Sequence, residues 1–375
     1  MSSQPTATNT LAQGQPAASP NTNRVVAAVA LPTPVPQMPG TFDPEAATDA
    51  DLLYYGLPQR PCDPTMLGLW RQLVGRPFDQ VAVTMAEQTF TLSWPRLGLA
   101  RGDESDTFNL AGSSRLSSSA NWSGAVILPL EGRQFVQVLG RWKVPRVRRG
   151  AGASPHVCSI WVGLDGFKRQ GEPSMPQMGT TQKDGNIGSG VPDYYLWVQW
   201  WLRGGKTIES PKLLAELRPD DEVTCGVTLL PPDIPSAGDR GWVGFAARIK
   251  RSTWPRDRLI VYRMPPPQNA SGAFVPTRGR SAQWIFERPR EIVVQPDGSL
   301  GLGGLYRLPR FMEARSIAFA AIEAPGPPVN CGVWEPVRDL RSPRLLRMIS
   351  RSAQSLTVLA KPESVSRTEV RVVPS

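Results

Sequence analysis

One amide and one carboxylate stand out in the sequence because each lies in a short motif with chemical potential. Gln177 belongs to the segment PQMG (residues 176–179), and Glu287 ends the segment AQWIFE (residues 282–287). A carboxylate can take a proton from water and pass it to a leaving amine. A glutamine N–H can stabilise the negative charge on an attacked carbonyl oxygen, which is worth roughly 10²–10³ in rate. Such a pair could hydrolyse a peptide bond without a metal, a cofactor or a histidine.

The composition excludes several other catalytic and metal-binding sites. His156 is the only histidine, so a multi-histidine metal site is impossible, and the chain has no G-x-S-x-G motif for a serine hydrolase. The four cysteines form no CxxC pair, which argues against a zinc site and against a dense disulfide framework. We expect single buried thiols, with one or two long-range bridges as the alternative. The cysteines are Cys62, Cys158, Cys225 and Cys331. We therefore predict no metal site and no cofactor.

A tryptophan-rich stretch, residues 194–201, predicts the surface on which this chemistry would take place. Side chains alternate along a strand, so Trp197, Gln199 and Trp201 share one face. Leu196, Val198 and Trp200 then share the other face, and we assign Trp200 to the core. Alternation also places Gln283 and Glu287 on one face of their strand.

The rest of the chain indicates an all-β protein. Many short alternating segments are separated by turn residues, as the 39 Pro and 34 Gly suggest. The segments we predict as further strands are 135–142, 159–163, 213–217, 222–229, 242–248, 258–263, 281–287, 315–320, 345–351 and 369–373. This pattern predicts a sandwich or barrel.

The N-terminal third differs in composition from the remainder. Residues 1–40 are rich in Ser, Thr, Gln, Asn, Ala and Pro, and we predict a disordered tail. Residues 41–118 form an N-terminal extension with two short helices, one capped at Thr48 or Asp49 and one beginning at Pro64. A docked extension and a prosegment that covers a groove are both consistent with it. The Ser-rich segment 113–119 reads as a cleavable hinge before the main domain, residues 119–375.

Five motifs in order resemble the glutamic peptidases, or eqolisins. They are NWSG (121–124), WVGLDG (161–166), PQMG (176–179), the strand 194–201 and QWIFE (283–287). The resemblance implies a concanavalin-like β-sandwich of two antiparallel sheets with a substrate groove on one curved face. It implies an endopeptidase in which Glu287 is the general base and acid and Gln177 stabilises the oxyanion. It also places Trp122, Trp161, Asp165, Trp197, Gln199 and Trp201 near the substrate.

The sequence departs from the fungal members of that family at three positions. Gln199, Gln283 and Thr181 stand where those enzymes carry carboxylates. Fewer neighbouring carboxylates means less like-charge repulsion at Glu287. With a net charge of +10 and a pI near 9.8, the chain is also basic where the fungal enzymes are acidic. We therefore expect a pH optimum less acidic than theirs.

Two other functional classes are compatible with a sandwich of this kind. One is a non-catalytic module that binds glycans or peptides, with Trp197 and Trp201 as a stacking platform. The other is a glucanase-like hydrolase, although the chain has no E-x-D-x-x-E strand to supply paired acids. For the peptidase we expect a polypeptide substrate, no nucleic acid, no membrane and a monomeric protein. The family is commonly secreted, but the chain shows no clear signal peptide, so the compartment stays open.

Overall fold

The structure of the protein is a computed structural model. It describes residues 33–61, 64–81, 86–87, 90–91, 108–109, 115–130, 133–150, 155–167, 172–184, 193–203, 211–231, 241–297, 300–324, 326–332, 340–351, 355–366 and 368–375.

Strands dominate the described residues, and the helices are short. The helices are α1 (Asp49–Tyr54) and α2 (Pro64–Val74). The strands of the N-terminal region are β1 (Thr33–Pro34), β2 (Phe78–Gln80), β3 (Ala86–Glu87), β4 (Phe90–Thr91), β5 (Phe108–Asn109) and β6 (Arg115–Ser119). Those of the first half of the main domain are β7 (Trp122–Pro129), β8 (Phe135–Lys143), β9 (His156–Leu164), β10 (Ser174–Asp184), β11 (Tyr194–Leu202), β12 (Lys212–Glu216), β13 (Glu222–Leu229), β14 (Val243–Lys250) and β15 (Asp257–Met264). The remaining strands are β16 (Ala282–Glu287), β17 (Arg290–Val294), β18 (Leu300–Leu305), β19 (Ala314–Ala324), β20 (Gly326–Gly332), β21 (Leu340–Arg351), β22 (Leu356–Ser366) and β23 (Glu369–Pro374).

The motifs singled out in the sequence lie on one sheet, which we call the front sheet. Its strands follow the order β12–β11–β10–β9–β16–β7–β21, and each neighbouring pair is antiparallel. β3 extends this sheet beyond β12. The pairing register is unbroken from β11 through β10 and β9 to β16, so residues of these strands line up across the sheet.

A second sheet, the back sheet, packs behind the first. Its strands follow the order β23–β19–β8–β13–β14–β15, also antiparallel. β21, β22 and β23 pair in succession and so connect the two sheets along one edge. β18, β17 and β4 form a small third sheet of their own. These pairings confirm the predicted all-β sandwich.

Alternating side chains divide the apolar residues among three layers. The layer between the sheets contains Leu196, Val198 and Trp200, which confirms that Trp200 belongs to the core. A second cluster lies on the outer side of the front sheet, which we call the front face, and it includes Trp161 and Trp197. The third cluster lies on the outer side of the back sheet, the back face.

The N-terminal extension covers the back face. Thr48 caps helix α1, as predicted, and its side chain accepts from the N–H of Asp51. Gly56 follows the helix at φ 70°. Trp70 and Leu73 of α2 pack with Leu139, Ala246, Leu259 and Val261 of the back sheet. Arg248 of β14 donates to the carbonyls of Gly75 and Pro77 and pairs with Asp257, which fixes the end of α2. The described part of the extension up to residue 81 is therefore docked away from the front face and covers no groove.

Two boundaries differ from the sequence prediction. Thr33–Pro34 pair with β15, and Val35 and Met38 are buried, so residues 33–40 pack on the body instead of continuing a disordered tail. Residues 1–32 lie outside the described residues. The segment 115–119, predicted as part of a hinge, is strand β6, and Ser119 is buried. The reason is that this segment pairs in parallel with β21.

The cysteine prediction holds where the structure describes the side chains. Cys158 and Cys225 are free and buried, and burial raises the pKa of both thiols. The side chains of Cys62 and Cys331 lie outside the described residues. No helix of the described residues is long and apolar enough to cross a membrane.

Candidate active site

Three cross-strand rows on the front face carry most of the predicted site residues. The amide row joins Gln199, Gln177, Gly163 and Gln283; the tryptophan row joins Trp197, Gly179, Trp161 and Ile285; the carboxylate row joins Tyr195, Thr181, Ser159 and Glu287. Paired residues on neighbouring strands point to the same side of a sheet, and so do residues two apart along one strand. The three rows are therefore adjacent strips of one surface.

Glu287 is a fully buried carboxylate held by neutral donors. The indole Nε1 of Trp161 donates to its Oε2 at 2.9 Å, and Nδ2 of Asn121 donates to its Oε1 at 3.2 Å. Trp122, which pairs with Glu287 across β7, packs edge-on against Trp161 with ring centroids 4.9 Å apart. Burial costs a carboxylate its hydration, and hydrogen bonds from neutral donors replace part of it without a counter-charge.

Gln177 is buried in the middle of β10 and not in a turn. Its Nε2 donates to Oε1 of Gln199 at 2.8 Å. Its own Oε1 is buried and has no hydrogen-bond partner. A buried amide oxygen without a partner is uncommon, and it is usually satisfied by water or by a ligand.

The register does not place Gln177 and Glu287 opposite each other. The residue opposite Gln177, across Gly163, is Gln283, and Glu287 lies two rows away. Two rows correspond to about 13 Å along a strand, with Trp161 in the row between. The cause is the pairing of β9 with both neighbours, which fixes the offset and which the sequence does not reveal.

The other predicted residues fall on the front face or at its rim. Trp197 and Trp201 are buried there, and neither indole N–H has a partner. Asp165 follows β9 at φ 60°, and its carboxylate accepts from the backbone N–H groups of Arg278 and Arg280. Burial raises the pKa of Asp165 to about 7. Its hydrogen bonds to backbone N–H groups are those of an aspartate that holds a turn.

Sequence reasoning missed two residues of this site. Asn121 binds Glu287 directly, although only its neighbour Trp122 was singled out; its place in the NWSG motif was the available signal. Gln283 was placed on the same strand face as Glu287 and noted as a departure from the family pattern, but its position opposite Gln177 depends on strand pairing.

The front face is closed. Gln177, Glu287, Trp161 and Trp197 are all 0% exposed. Tyr306, which follows β18, is part of the same apolar cluster, and Leu302 of β18 packs against it. A peptide could contact these four side chains only after neighbouring residues had moved. Within the described residues, no group of three or more His, Cys, Asp or Glu side chains is arranged to hold a metal ion.

Comparison with known proteins gives one sequence match and several structural ones. Residues 120–233 match the model of the Peptidase A4 family. No curated protein matches the chain significantly in sequence. Among solved structures, scytalido-glutamic peptidase with a peptide-based transition-state analogue is 17% identical, with a TM-score of 0.43 over 68% of this chain and 98% of that one. SCP-B, an eqolisin in complex with the tripeptide Ala-Ile-His, is also 17% identical, with a TM-score of 0.40 over the same shares of the two chains.

The family match falls on the strands that build the site. The matched range includes Trp122, Trp161, Gln177 and Gln199, whereas Glu287 lies beyond it. The matched range and the ordered motifs agree in the family that they indicate. Residues 120–233, less than half of the chain, are therefore similar to the Peptidase A4 family of peptidases.

Proposed function

We propose that the protein cleaves polypeptides with Glu287 as the general base and acid and Gln177 as the oxyanion stabiliser. Glu287 would take a proton from the attacking water and return it to the leaving amine. The Nε2 of Gln177 would turn from Gln199 to the carbonyl oxygen as it becomes negative. Trp122, Trp161, Trp197, Gln199 and Trp201 would line the substrate.

The observation that carries this proposal is the environment of Glu287. It is the one carboxylate in the three rows as described, it is fully buried, and the neutral side chains of Trp161 and Asn121 both donate to it. A carboxylate that must change its protonation during a reaction is better served by neutral donors, because a fixed positive charge would hold it ionised.

The two-row offset determines where the substrate would lie. The tryptophan row is one row from Gln177 and one row from Glu287. One row is about 6.7 Å along the strand, a gap that two extended side chains can close from either side. The scissile peptide group would therefore lie above the tryptophan row, between the two catalytic side chains.

Cleavage of a denatured protein between pH 2 and pH 7 tests the proposal. We expect Glu287→Gln to lower kcat by at least about 10²–10⁴ and Gln177→Ala by about 10²–10³. Matched controls are Glu291→Gln, an exposed carboxylate four residues further on, and Gln137→Ala, a buried glutamine of the back sheet. Both controls should keep the wild-type rate.

Two results would contradict the proposal. Cleavage that survives Glu287→Gln in a folded protein would move the base elsewhere. Peptide binding by the wild type without cleavage at any pH would favour the non-catalytic module.

A further inference from the structure

The amide row contains a second glutamine whose oxygen is unsatisfied. Gln283 is 0% exposed, and its Oε1 has no hydrogen-bond partner. Its Nε2 donates to the backbone carbonyl of Asp165 and to Oγ of Ser281. A carbonyl can only accept, so the nitrogen of this amide must face Asp165, and the orientation of the side chain is fixed. The free atom of Gln283 is therefore an acceptor.

Gln177 and Gln283 flank a residue without a side chain. Gly163 of β9 pairs with both, and a Cβ built on it would lie 3.1 Å from Cβ of Gln177 and 3.1 Å from Cζ3 of Trp161. Gly163 itself places no side chain between the two amides, and the edge of the Trp161 ring from the neighbouring row borders this space. Two buried acceptors thus border one strip of surface, and each needs a donor.

The rows on either side offer the complementary groups. Trp197 lies in the tryptophan row, and Trp201 pairs with Met175 on the far side of the amide row. The buried Nε1 atoms of both tryptophans have no partner. The amide row therefore carries two buried acceptors without a partner, the Oε1 atoms of Gln177 and Gln283. On each side of this row lies one buried indole N–H without a partner. An extended peptide main chain presents N–H and C=O groups in alternation and can satisfy both kinds, which an apolar ligand or an anion cannot.

We propose that Gln283 is a substrate-binding residue whose Oε1 accepts a main-chain N–H of the bound peptide next to the scissile group. This inference rests on the proposed function for the identity of the ligand. Main-chain recognition by Gln283 would hold the peptide in register without selecting its side chains. In the free protein an ordered water would take the place of the peptide N–H.

The competing explanation is that Gln283 only supports the turn at Asp165. That role uses its Nε2, whereas peptide binding uses its Oε1, so the two can be separated. Gln283→Met keeps the length of the side chain and removes the acceptor. Gln283→Glu keeps an acceptor at the same position and removes the donor.

The test is a coupling experiment on binding. An oligopeptide and a set of its mono-N-methylated versions, each lacking one N–H, are titrated by calorimetry into Glu287→Gln protein, with and without the Gln283 substitutions. We expect one N-methylated position to cost about tenfold in affinity, the loss of one buried hydrogen bond. That cost should disappear in the Gln283→Met background and persist in the Gln283→Glu background. The ratio of two affinities on the same variant does not depend on the fraction of protein that is folded.

The outcomes separate this inference from the proposed function. If N-methylation lowers the binding affinity equally with and without Gln283→Met, the inference is wrong. The role of Glu287 as the base is tested separately, by the cleavage assay on Glu287→Gln. Should Gln283→Met fail to fold, a loss of the cost in Gln283→Glu would overturn the inference by itself. If the effect of N-methylation on affinity depends on Gln283 but the wild-type protein never cleaves a peptide, Gln283 is a peptide contact and the proposed peptidase activity is wrong. No binding of any peptide would refute both.

Discussion

At the scale of single residues, the raised pKa of Asp165 makes the stability of the folded protein depend on pH. Burial is the main cause that raises its pKa to about 7, repulsion from Glu172 adds to it, and the N–H groups of Arg278 and Arg280 oppose it. In the unfolded chain the pKa of this aspartate is the ordinary value of 3.8. Between about pH 4 and pH 7 the folded state therefore holds a proton that the unfolded state has lost. Stability therefore falls as the pH rises through this window.

We predict that the free energy of unfolding decreases by up to about 4 kcal/mol from pH 4 to pH 7 through Asp165 alone. Asp165→Asn should flatten this decrease, although it loses one acceptor and so costs about 1 kcal/mol at pH 4. Urea unfolding at pH 4, 5.5 and 7 measures it. The matched control is Asp220→Asn, an exposed aspartate at φ 73° whose pKa is lowered by Lys143. An Asp165→Asn protein with the wild-type slope would show that other groups carry the dependence.

The sequence motifs identified the candidate site residues but not their geometry. Gln177, Glu287 and the tryptophans were found from short segments, because strand alternation fixes the face of each side chain locally. Which residues lie opposite each other depends on how β9 pairs with β10 and β16, strands more than 100 residues apart in the second case. A shift of the pairing by two residues keeps every side chain on its face, so Gln283 could be placed opposite Gln177 only from the fold.

At the scale of elements, the two helices illustrate the same limit. Their positions followed from Thr48, Pro64 and the apolar stripe through Trp70, which are local signals. The face of the sandwich that they cover could not be predicted, because an apolar stripe indicates that a helix packs against a partner but does not identify the sheet that provides it. The structure shows that the partner of α2 is the back face.

For α2 we predict that Leu73→Ala lowers the free energy of unfolding by about 2–5 kcal/mol while kcat is unchanged. Leu73 is fully buried, with its Cδ2 3.2 Å from where a Cβ on Gly226 of the back sheet would lie. Glu287 lies on the opposite side of the sandwich, so its surroundings should not change. Thermal unfolding and the cleavage rate below the transition measure the two effects.

The control for that prediction lies on the same helix. Gly68 is exposed, with nothing within 4 Å of a Cβ built on it, and Gly68→Ala should stabilise the helix by up to about 1 kcal/mol. A loss of kcat in folded Leu73→Ala would mean that the back face influences the site.

At the scale of the whole molecule, the N-terminal extension touches both sheets. Residues 33–81 contribute β1, β2 and the helices to the back sheet. Further on, β3 pairs with β12 at the edge of the front sheet, and β4 pairs with β17 near the end of β16. A prosegment that is discarded would take these pairings and one apolar cluster with it. The contacts favour an extension that stays as part of the folded protein.

This leads to a prediction for a divided chain, with residues 1–99 and 100–375 expressed as separate polypeptides in one cell. We expect the two to co-purify and to cleave substrate at the rate of the intact chain, because the apolar cluster and four short strands hold them together. Leu73→Ala in the shorter piece should weaken the association, whereas Gly68→Ala should not. Size-exclusion chromatography and the cleavage assay provide the readouts. A piece of residues 100–375 that folds alone, is active, and is inhibited when residues 1–99 are added would instead establish the extension as a prosegment.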